Sequence, residues 1–224
     1  MNILYEDAWM LVCEKEANVP VQSSRVGVRD MVSILKNYRK ETEGMRREPY
    51  LGVVHRLDQP VQGLIVFAKT REAAAKLSAQ ARGDGMKKEY LAVACGQCRE
   101  KEGVLVDYLV KDGRTNTSRI GKAGEPGAKE ARLDYRIIRE EGGYALVSIC
   151  LHTGRHHQIR VQMAHAGMPL AGDRKYQPQV SWSPGEYLAL CACRLTLRHP
   201  ATGRRMTFRA EPKGVFFEKF CQKG

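Results

Sequence analysis

The sequence lacks a long apolar run, because nowhere in its 224 residues does it approach the ~18 consecutive apolar residues that a membrane-spanning helix needs. Its first residues, Met1-Asn-Ile-Leu-Tyr-Glu-Asp, contain neither a basic segment nor the apolar core of a secretory signal. These absences argue against a membrane protein and against a secreted one. We expect a protein that works in the cytoplasm and does not contact a membrane.

Internal repeats, low-complexity segments and a linker rich in Pro, Gly or Ser are also missing. A chain of this length can bury one substantial core without interruption. The sequence therefore predicts a single domain over residues 1–224.

Acidic residues are few compared with basic ones. Asp and Glu number 25 against 37 Lys and Arg, which gives a formal net charge of +12, and the basic residues are spread over the chain. Part of such a charge can serve solubility alone. A surface of this sign nevertheless favours a polyphosphate partner, and nucleic acid is the natural candidate.

The seven cysteines form no convincing metal or disulfide pattern, since their number is odd and they lie inside apolar stretches. The pair in Cys95-Gly-Gln-Cys98 has zinc-like spacing but no matching second pair, and the residues of Cys191-Ala-Cys193 are too close together. His152 and His156 raise the alternative of a metal-dependent hydrolase, although no Glu stands between them as in a catalytic zinc helix. We expect reduced thiols, no bound metal and no cofactor.

Short runs of branched and aromatic residues bounded by turn residues predict a chain rich in strands. Two strands are expected within residues 3–21, and further strands at 51–54, 64–68, 86–94, 104–110, 131–138, 144–151, 187–197 and 205–210.

Helices are predicted from apolar periodicity and from capping residues. Thr70 is placed to cap a helix ending near Arg82, and Thr153 to cap one ending near Ala166. Another helix should bury one stripe of side chains, and a last amphipathic piece carries three aromatic rings. The stripe comprises Val28, Met31, Val32, Leu35 and Tyr38, and the rings are Phe216, Phe217 and Phe220.

Residues 111–129 are rich in glycine and poor in apolar residues, with five Lys/Arg and two acids. Composition predicts a loop here, serving either as disordered filler or as a functional arm.

Asp58 stands in a turn-forming connection between two predicted buried strands. Pro60 and Gly63 mark this connection as a fixed turn, and such loops often carry function. An Asp in this position can also cap the turn by bonding its own backbone. These residues alone leave both interpretations open.

The ten residues that begin at His55, His-Arg-Leu-Asp-Gln-Pro-Val-Gln-Gly-Leu, resemble the signature HRLDxxTSGL of the RluA-type RNA pseudouridine synthases. Three more motifs resemble those of the family and occur in the family's order: one around Lys15, before the signature, and two after it, at Lys88-Glu89-Tyr90 and at Thr153-Gly-Arg-His-His-Gln-Ile-Arg160. At Lys15 the family's Lys-Pro-x-Gly turn is altered, with Asn18 in place of Gly. Asn tolerates a left-handed backbone, so the turn can persist.

The resemblance departs from the family at Val61 and Gln62, where Thr and Ser are usual. Hydrogen bonds made by those hydroxyls must therefore come from elsewhere in this chain. The change also keeps open the alternative of an RNA-binding protein that has retained the scaffold without turnover.

The resemblance implies roles for three catalytic residues. Asp58 falls on the position of the catalytic aspartate, which either attacks covalently or removes a ribose proton. Arg160 matches the arginine whose guanidinium keeps that carboxylate charged, and Tyr90 matches a tyrosine that stacks on the base or mediates proton transfer.

The resemblance also implies a set of RNA-binding positions. Arg56 would fill the gap left by the flipped uridine, Ile159 would form an apolar wall, and His55 would hold the site through hydrogen bonds. The other positions are Leu57, Lys88, Thr153, Gly154, Arg155 and Gln158.

The family fold implied is α+β, with a mixed, largely antiparallel sheet and flanking helices. We expect no separate S4-like RNA-binding domain, because the first core strand is predicted almost at Met1. The expected partner is structured RNA, a ribosomal or transfer RNA stem-loop, which residues 111–129 would grip through phosphates. No obligate protein partner is implied, and a monomer is expected.

Overall fold

The computed structural model describes residues 2–25, 27–96 and 100–221. The chain divides into two compact units, the first formed by Met1–Lys87 with Ala192–Glu211 and the second by Lys88–Cys191 with Pro212–Gly224. The predictions of one catalytic domain over residues 1–224, and of no S4-like domain, stay predictions.

The secondary structure is dominated by strands. In chain order the strands are β1 (Asn2–Glu6), β2 (Met10–Lys15), β3 (Gly52–Val53), β4 (Gln62–Ala68), β5 (Lys87–Cys95), β6 (Glu102–Asp112), β7 (Thr117–Gly121), β8 (Lys129–Glu141), β9 (Tyr144–Leu151), β10 (Leu190–Arg198) and β11 (Arg205–Arg209). The helices are α1 (Met31–Thr42), α2 (Arg71–Arg82), α3 (Gln158–His165) and α4 (Val215–Cys221). No helix in the described ranges is long and apolar enough to cross a membrane.

In the first unit, β2 pairs antiparallel with both β1 and β4, β3 pairs with β4, and β10 pairs with β11. The faces of these strands bury a continuous apolar cluster together with α2. Its members include Met10, Val12, Leu64, Val66, Leu77 and Leu195.

The two helices of the first unit begin at side-chain caps. Thr70 accepts the N–H of Ala73 and starts α2, which ends before Gly83, so that prediction is confirmed. Asp30 caps α1 in the same way. The predicted stripe is buried at Met31, Val32 and Leu35, but Val28 precedes the cap and is exposed, so its inclusion was wrong.

In the second unit the strand order is β5-β9-β8-β6-β7, with every neighbouring pair antiparallel. Val161 of α3 packs on Leu109 and Ala131 of this sheet. The α+β class with a largely antiparallel sheet and flanking helices is the one predicted.

The prediction of a coreless loop over residues 111–129 was wrong in part, because residues 111–112, 117–121 and 129 belong to β6, β7 and β8 and Ser118 is buried. The Asp112 carboxylate accepts the N–H groups of Arg114 and Thr115, and Asn116 takes a positive φ of 51°, which together make the tight turn between β6 and β7. Asp-Gly at 112–113 is a hairpin signal that the polar composition obscured. We call residues 111–129 the basic hairpin.

Candidate active site

Asp58 lies on the loop of residues 54–61 that joins β3 to β4. Its carbonyl accepts the N–H of Val61 at 3.0 Å, which closes a turn. The side chains of Leu57 and Val61 are buried on either side, while that of Asp58 is half-buried. The loop is thus anchored in the core by apolar side chains on either side of Asp58.

Lys15, at the end of β2, ties this loop to the preceding turn. Its side chain is 1% exposed, and its Nζ donates to the carbonyls of Glu16 at 3.0 Å, Val19 at 2.7 Å and Gln59 at 2.8 Å. Burial lowers the pKa of Lys15 to about 7, and the negative charge of Asp58 acts in the opposite direction. The first unit therefore holds a basic side chain near enough to the predicted catalytic carboxylate for the two charges to interact.

This role of Lys15 was not predicted from the sequence, in which Lys15 was assigned only to a turn. The available signal was a lysine that ends an apolar strand immediately before a turn. Such a position buries the ammonium, which then needs several acceptors.

Two backbone conformations shape the same region. Asn18 has a φ of 66°, as the turn prediction required. Gly63 has a φ of 113°, and a Cβ there would lie 2.4 Å from the Ala192 carbonyl oxygen. Only glycine fits where β4 begins.

The departures from the family signature are accommodated locally. Val61 is buried, so its methyl groups pack where a threonine would also place one. The loop receives hydrogen bonds from Lys15 and through Gln59, whose Nε2 donates to the Asn18 carbonyl at 3.1 Å. These bonds fix the loop without the two hydroxyls.

His55 and Arg56, the first two residues of the signature, differ in burial, because His55 is half-buried and Arg56 is exposed. The Nε2 atom of His55 accepts the N–H of Val66 in β4 at 3.3 Å, so that nitrogen is an acceptor. Arg56 is exposed, as a residue that contacts RNA must be.

In the second unit, Lys88 and Tyr90 lie on one face of β5, since side chains two residues apart point the same way. Tyr90 is buried and faces Ile149 of β9, and half-buried Lys88 faces Leu151. Their roles at the RNA stay predictions.

Thr153 does not cap a helix, so the predicted helix start was wrong. Its hydroxyl lies 2.8 Å from both the Arg132 N–H and the Gln158 Oε1 atom, and Gln158 Oε1 also accepts the N–H of Arg155. The helix begins at Gln158 instead, after His157 in a left-handed conformation with a φ of 54°. Competing hydrogen bonds along the edge of β8 have removed the cap.

Arg160 is held by a carboxylate that sequence reasoning did not assign. Its Nε and Nη2 donate to the two oxygens of Asp173 at 2.8 and 2.7 Å, and the two residues are 4% and 1% exposed. The Tyr176 ring lies 5.2 Å from the guanidinium carbon. The predicted pairing of Arg160 with Asp58 stays a prediction.

Tyr176 also connects this cluster to the basic hairpin. Its hydroxyl accepts the N–H of Ser118 in β7 and lies 2.8 Å from Nδ1 of His157. Burial, followed by the charge of Arg160, lowers the pKa of His157 to about 2. His157 is therefore a neutral structural residue.

The remaining predicted positions also lie in the second unit. Ile159 is buried and Gly154 is exposed. Exposed Arg155 donates through Nε to the Glu130 carbonyl at 2.8 Å.

The metal hypotheses require a cluster of side chains that can ligate a metal ion. No group of three or more His, Cys, Asp or Glu side chains there has the geometry to hold a metal ion. Cys98, one half of the zinc-like pair, lies outside the described residues. Cys13, Cys95, Cys150, Cys191 and Cys193 form no disulfide bond.

Comparison with known proteins agrees with the fold and with the motifs. A sequence model described as RNA pseudouridylate synthase matches residues 9–165. The chain is 36% identical over 232 residues to the ribosomal large subunit pseudouridine synthase D of Pasteurella multocida, covering 97% of this chain and 69% of that protein. It is 38% identical over 159 residues to an uncharacterized RNA pseudouridine synthase of Chloroflexus aurantiacus, covering 71% of this chain and 49% of that protein. The chain thus spans about half to two thirds of the length of these relatives.

Among solved structures, the human RNA Pseudouridylate Synthase Domain Containing 4 shares the fold with a TM-score of 0.80 at 23% identity, covering 98% of this chain and 92% of that one. The family model and the curated relatives define an enzyme of the class that isomerises uridine in RNA. The chain belongs to the RNA pseudouridylate synthase family, and the resemblance to its RluA-type members is confirmed.

Proposed function

We propose that this protein converts specific uridines to pseudouridine in the RNA of the large ribosomal subunit, with Asp58 as the catalytic residue. The relatives named for large-subunit RNA support this choice of substrate. The observation that carries the proposal is the half-buried Asp58 carboxylate, held on a loop that Lys15 ties in place and accompanied by the Lys15 ammonium. Pre-positioning of this kind is what a reacting carboxylate needs.

The reaction breaks the bond between N1 of the base and C1′ of the ribose and rejoins the base through C5, which requires no redox step. Asp58 serves either as nucleophile or as the base that removes a ribose proton, and both roles require its ionised form. Tyr90 supports the extruded base, and exposed Arg56 occupies the gap that extrusion leaves.

The basic hairpin supplies contacts to the RNA backbone. Its cationic side chains are exposed, and only Arg119 of them is paired with a carboxylate of the described residues, that of Glu125. The others are Lys111, Arg114, Lys122 and Lys129. Contacts of this kind position the substrate without reading its sequence.

The test is a pseudouridine map of ribosomal and transfer RNA from cells that lack the protein. We expect loss of pseudouridine at defined large-subunit positions, restored by the wild-type chain and by an Asp84→Ala control, which removes an exposed carboxylate outside the site. Asp58→Ala should not restore them. Restoration by Asp58→Ala would overturn the catalytic assignment, and loss only in transfer RNA would overturn the substrate.

The second candidate is an RNA-binding protein without turnover, which Val61 and Gln62 keep open. It predicts RNA binding by the purified protein and an unchanged pseudouridine map. We further propose that the protein acts in the cytoplasm. We also propose that it is a monomer, because one chain carries all four family motifs. Light scattering on a size-exclusion column tests the monomer.

A further inference from the structure

The antiparallel pair of β10 and β11 in the first unit separates apolar from cationic side chains. Leu195 and Leu197 belong to the apolar cluster of that unit, and Phe208 packs against it. Because side chains alternate between the two faces of a strand, the residues between these lie on the opposite face. Three exposed arginines lie there, and we call them the arginine face: Arg198, Arg205 and Arg209.

Two of these arginines stand directly opposite each other. The register pairs Arg198 with Arg205, which places their Cβ atoms about 5 Å apart. Within residues 2–25, 27–96 and 100–221, no carboxylate is paired with any guanidinium of the arginine face. Like charges directly opposite each other destabilise a pair of strands. A bound anion would offset this repulsion.

The turn between the two strands is fixed by hydrogen bonds. His199 is 5% exposed, and its Nε2 lies 2.6 Å from Oδ2 of Asp7. Its Nδ1 accepts the N–H groups of Ala201 at 3.2 Å and Thr202 at 3.1 Å. The backbone that carries the arginines is therefore ordered before any ligand binds, which lowers the entropy that binding costs.

The composition of this face indicates which anion it binds. The residues at positions 194, 196, 198, 205, 207 and 209 are all Arg or Thr. Arginine binds phosphate through two parallel N–H groups, and a hydroxyl such as that of exposed Thr207 also contacts phosphate. Apolar side chains, which the centre of a protein interface or a membrane-binding surface needs, are absent from these six positions. Arg205 and Arg209 lie about 13 Å apart along β11, a separation that fits a chain of phosphates better than one small anion.

We propose that the arginine face binds the phosphate backbone of the RNA substrate. The inference rests on the proposed function, since it takes RNA as the ligand, and adds a contact surface at residues 198–209 that lies outside the four family motifs. The surface is built wholly within the first unit. Its arginines position the RNA and take no part in bond breaking.

The test measures binding of a fluorescein-labelled RNA stem-loop by anisotropy between about 50 and about 200 mM salt. Arg205→Met with Arg209→Met removes two phosphate contacts, each worth about 0.7 to 0.9 in the slope of log affinity against log salt. The slope should become less steep by about 1.4 to 1.8. Over this range the affinity of the wild type should therefore fall about 7- to 12-fold more than that of the variant.

Lys76→Met with Arg204→Met is the matched control, because it removes the same charge from the other side of the strands. Lys76 lies on α2, which packs on the apolar cluster, and the charge of Arg204 acts on Tyr5, which packs against that cluster. The control should keep the slope of the wild type. An equal change in both double variants would assign the effect to net charge and overturn the inference.

Arg205→Glu supplies an independent arm, because it should change stability and binding in opposite directions. The introduced carboxylate faces Arg198, so attraction replaces repulsion and the melting temperature should rise. RNA affinity should fall further than in Arg205→Met, since a negative charge now meets the phosphates. A more stable variant that binds RNA as well as the wild type would overturn the inference.

Two more outcomes would also overturn it. One is an unchanged slope for Arg205→Met with Arg209→Met. The other is unchanged RNA binding with loss of binding to phosphatidylserine vesicles, which would make the partner a membrane surface. The experiment measures no isomerisation, so the assignment of Asp58 can fail while this inference holds.

Discussion

Replacement of Lys15 by methionine removes a buried ammonium and little volume. Three hydrogen bonds to backbone carbonyls are lost, each worth about 1.5 to 3 kcal/mol when the donor is charged. Against this stands the cost of burial: the fall of the Lys15 pKa from 10.5 to about 7 corresponds to about 5 kcal/mol. The difference predicts that Lys15→Met lowers the free energy of unfolding by on the order of 2 kcal/mol at neutral pH, or the melting temperature by about 4 to 8 °C.

The dependence on pH distinguishes this account from a simple packing defect. Between the folded pKa of about 7 and the unfolded value of 10.5, the unfolded chain binds the Lys15 proton more often than the folded one. Stability of the wild type therefore gains about 1.4 kcal/mol per pH unit from this residue as pH rises through that interval, and loses it as pH falls to about 7. The methionine variant lacks this gain, so its deficit should widen with pH.

The assay is urea unfolding of both proteins from about pH 6 to about pH 9. Lys76→Met is the control, because Lys76 is an exposed helix residue paired with Glu72 and its loss should cost about 0.5 kcal/mol at every pH. Parallel profiles for wild type and Lys15→Met would show that the carbonyl bonds keep the ammonium charged throughout. Equal stability at every pH would refute the claim that Lys15 holds the loop.

Three further changes test other parts of the structure. Gly63→Ala should lower the free energy of unfolding by more than about 3 kcal/mol, because Gly63 has a positive φ and a Cβ there would lie 2.4 Å from a backbone oxygen of β10. Thermal unfolding measures this change, and a variant as stable as the wild type would contradict the geometry. The Arg39 hydrogen bonds lower the pKa of Glu43 to about 2, so Glu43 contributes stability above pH 4.5 that is lost as pH falls towards 2. Because the Glu43 side chain is 30% exposed, Glu43→Gln should remove on the order of 1 kcal/mol of this pH dependence in urea unfolding. An unchanged loss of stability between pH 4.5 and 2 would contradict this assignment. Asp173→Asn should lower the free energy of unfolding by about 3 to 5 kcal/mol, because the buried Arg160 stays charged while its partner loses its charge. Urea unfolding measures this change, and unchanged stability would contradict the expected loss.

The parts of the fold that followed from the sequence are those governed by local chemistry. Thr70 and Gly83 bound α2 through capping alone, and the apolar runs beside Asp58 formed strands as their composition requires. The basic hairpin could not be recognised in this way. Its Ser118 bonds to the Tyr176 hydroxyl 58 residues later, and no pattern within residues 111–129 reveals such a partner.

The candidate site also combines positions that could be named from the sequence with contacts that could not. The motif positions Lys88, Tyr90 and Gly154 could be named from the sequence, and the structure shows that two of them, Lys88 and Gly154, are close neighbours. Asp173 could not be assigned, because a carboxylate becomes the partner of Arg160 only once the chain has folded back over α3. The false Thr153 cap arose because the sequence does not show that Arg132 competes for the hydroxyl.

The distribution of charge bears on how Asp58 stays ionised. The resemblance assigns that task to the guanidinium of Arg160, which donates through two nitrogens to Asp173, and its pairing with Asp58 stays a prediction. Lys15 is a second basic group near Asp58, and its Nζ donates to three carbonyls. Its interaction with Asp58 lies wholly within the first unit. Within the first unit, protonated Lys15 therefore favours an ionised Asp58, and because the folded pKa of Lys15 is about 7, this contribution falls as pH rises above 7.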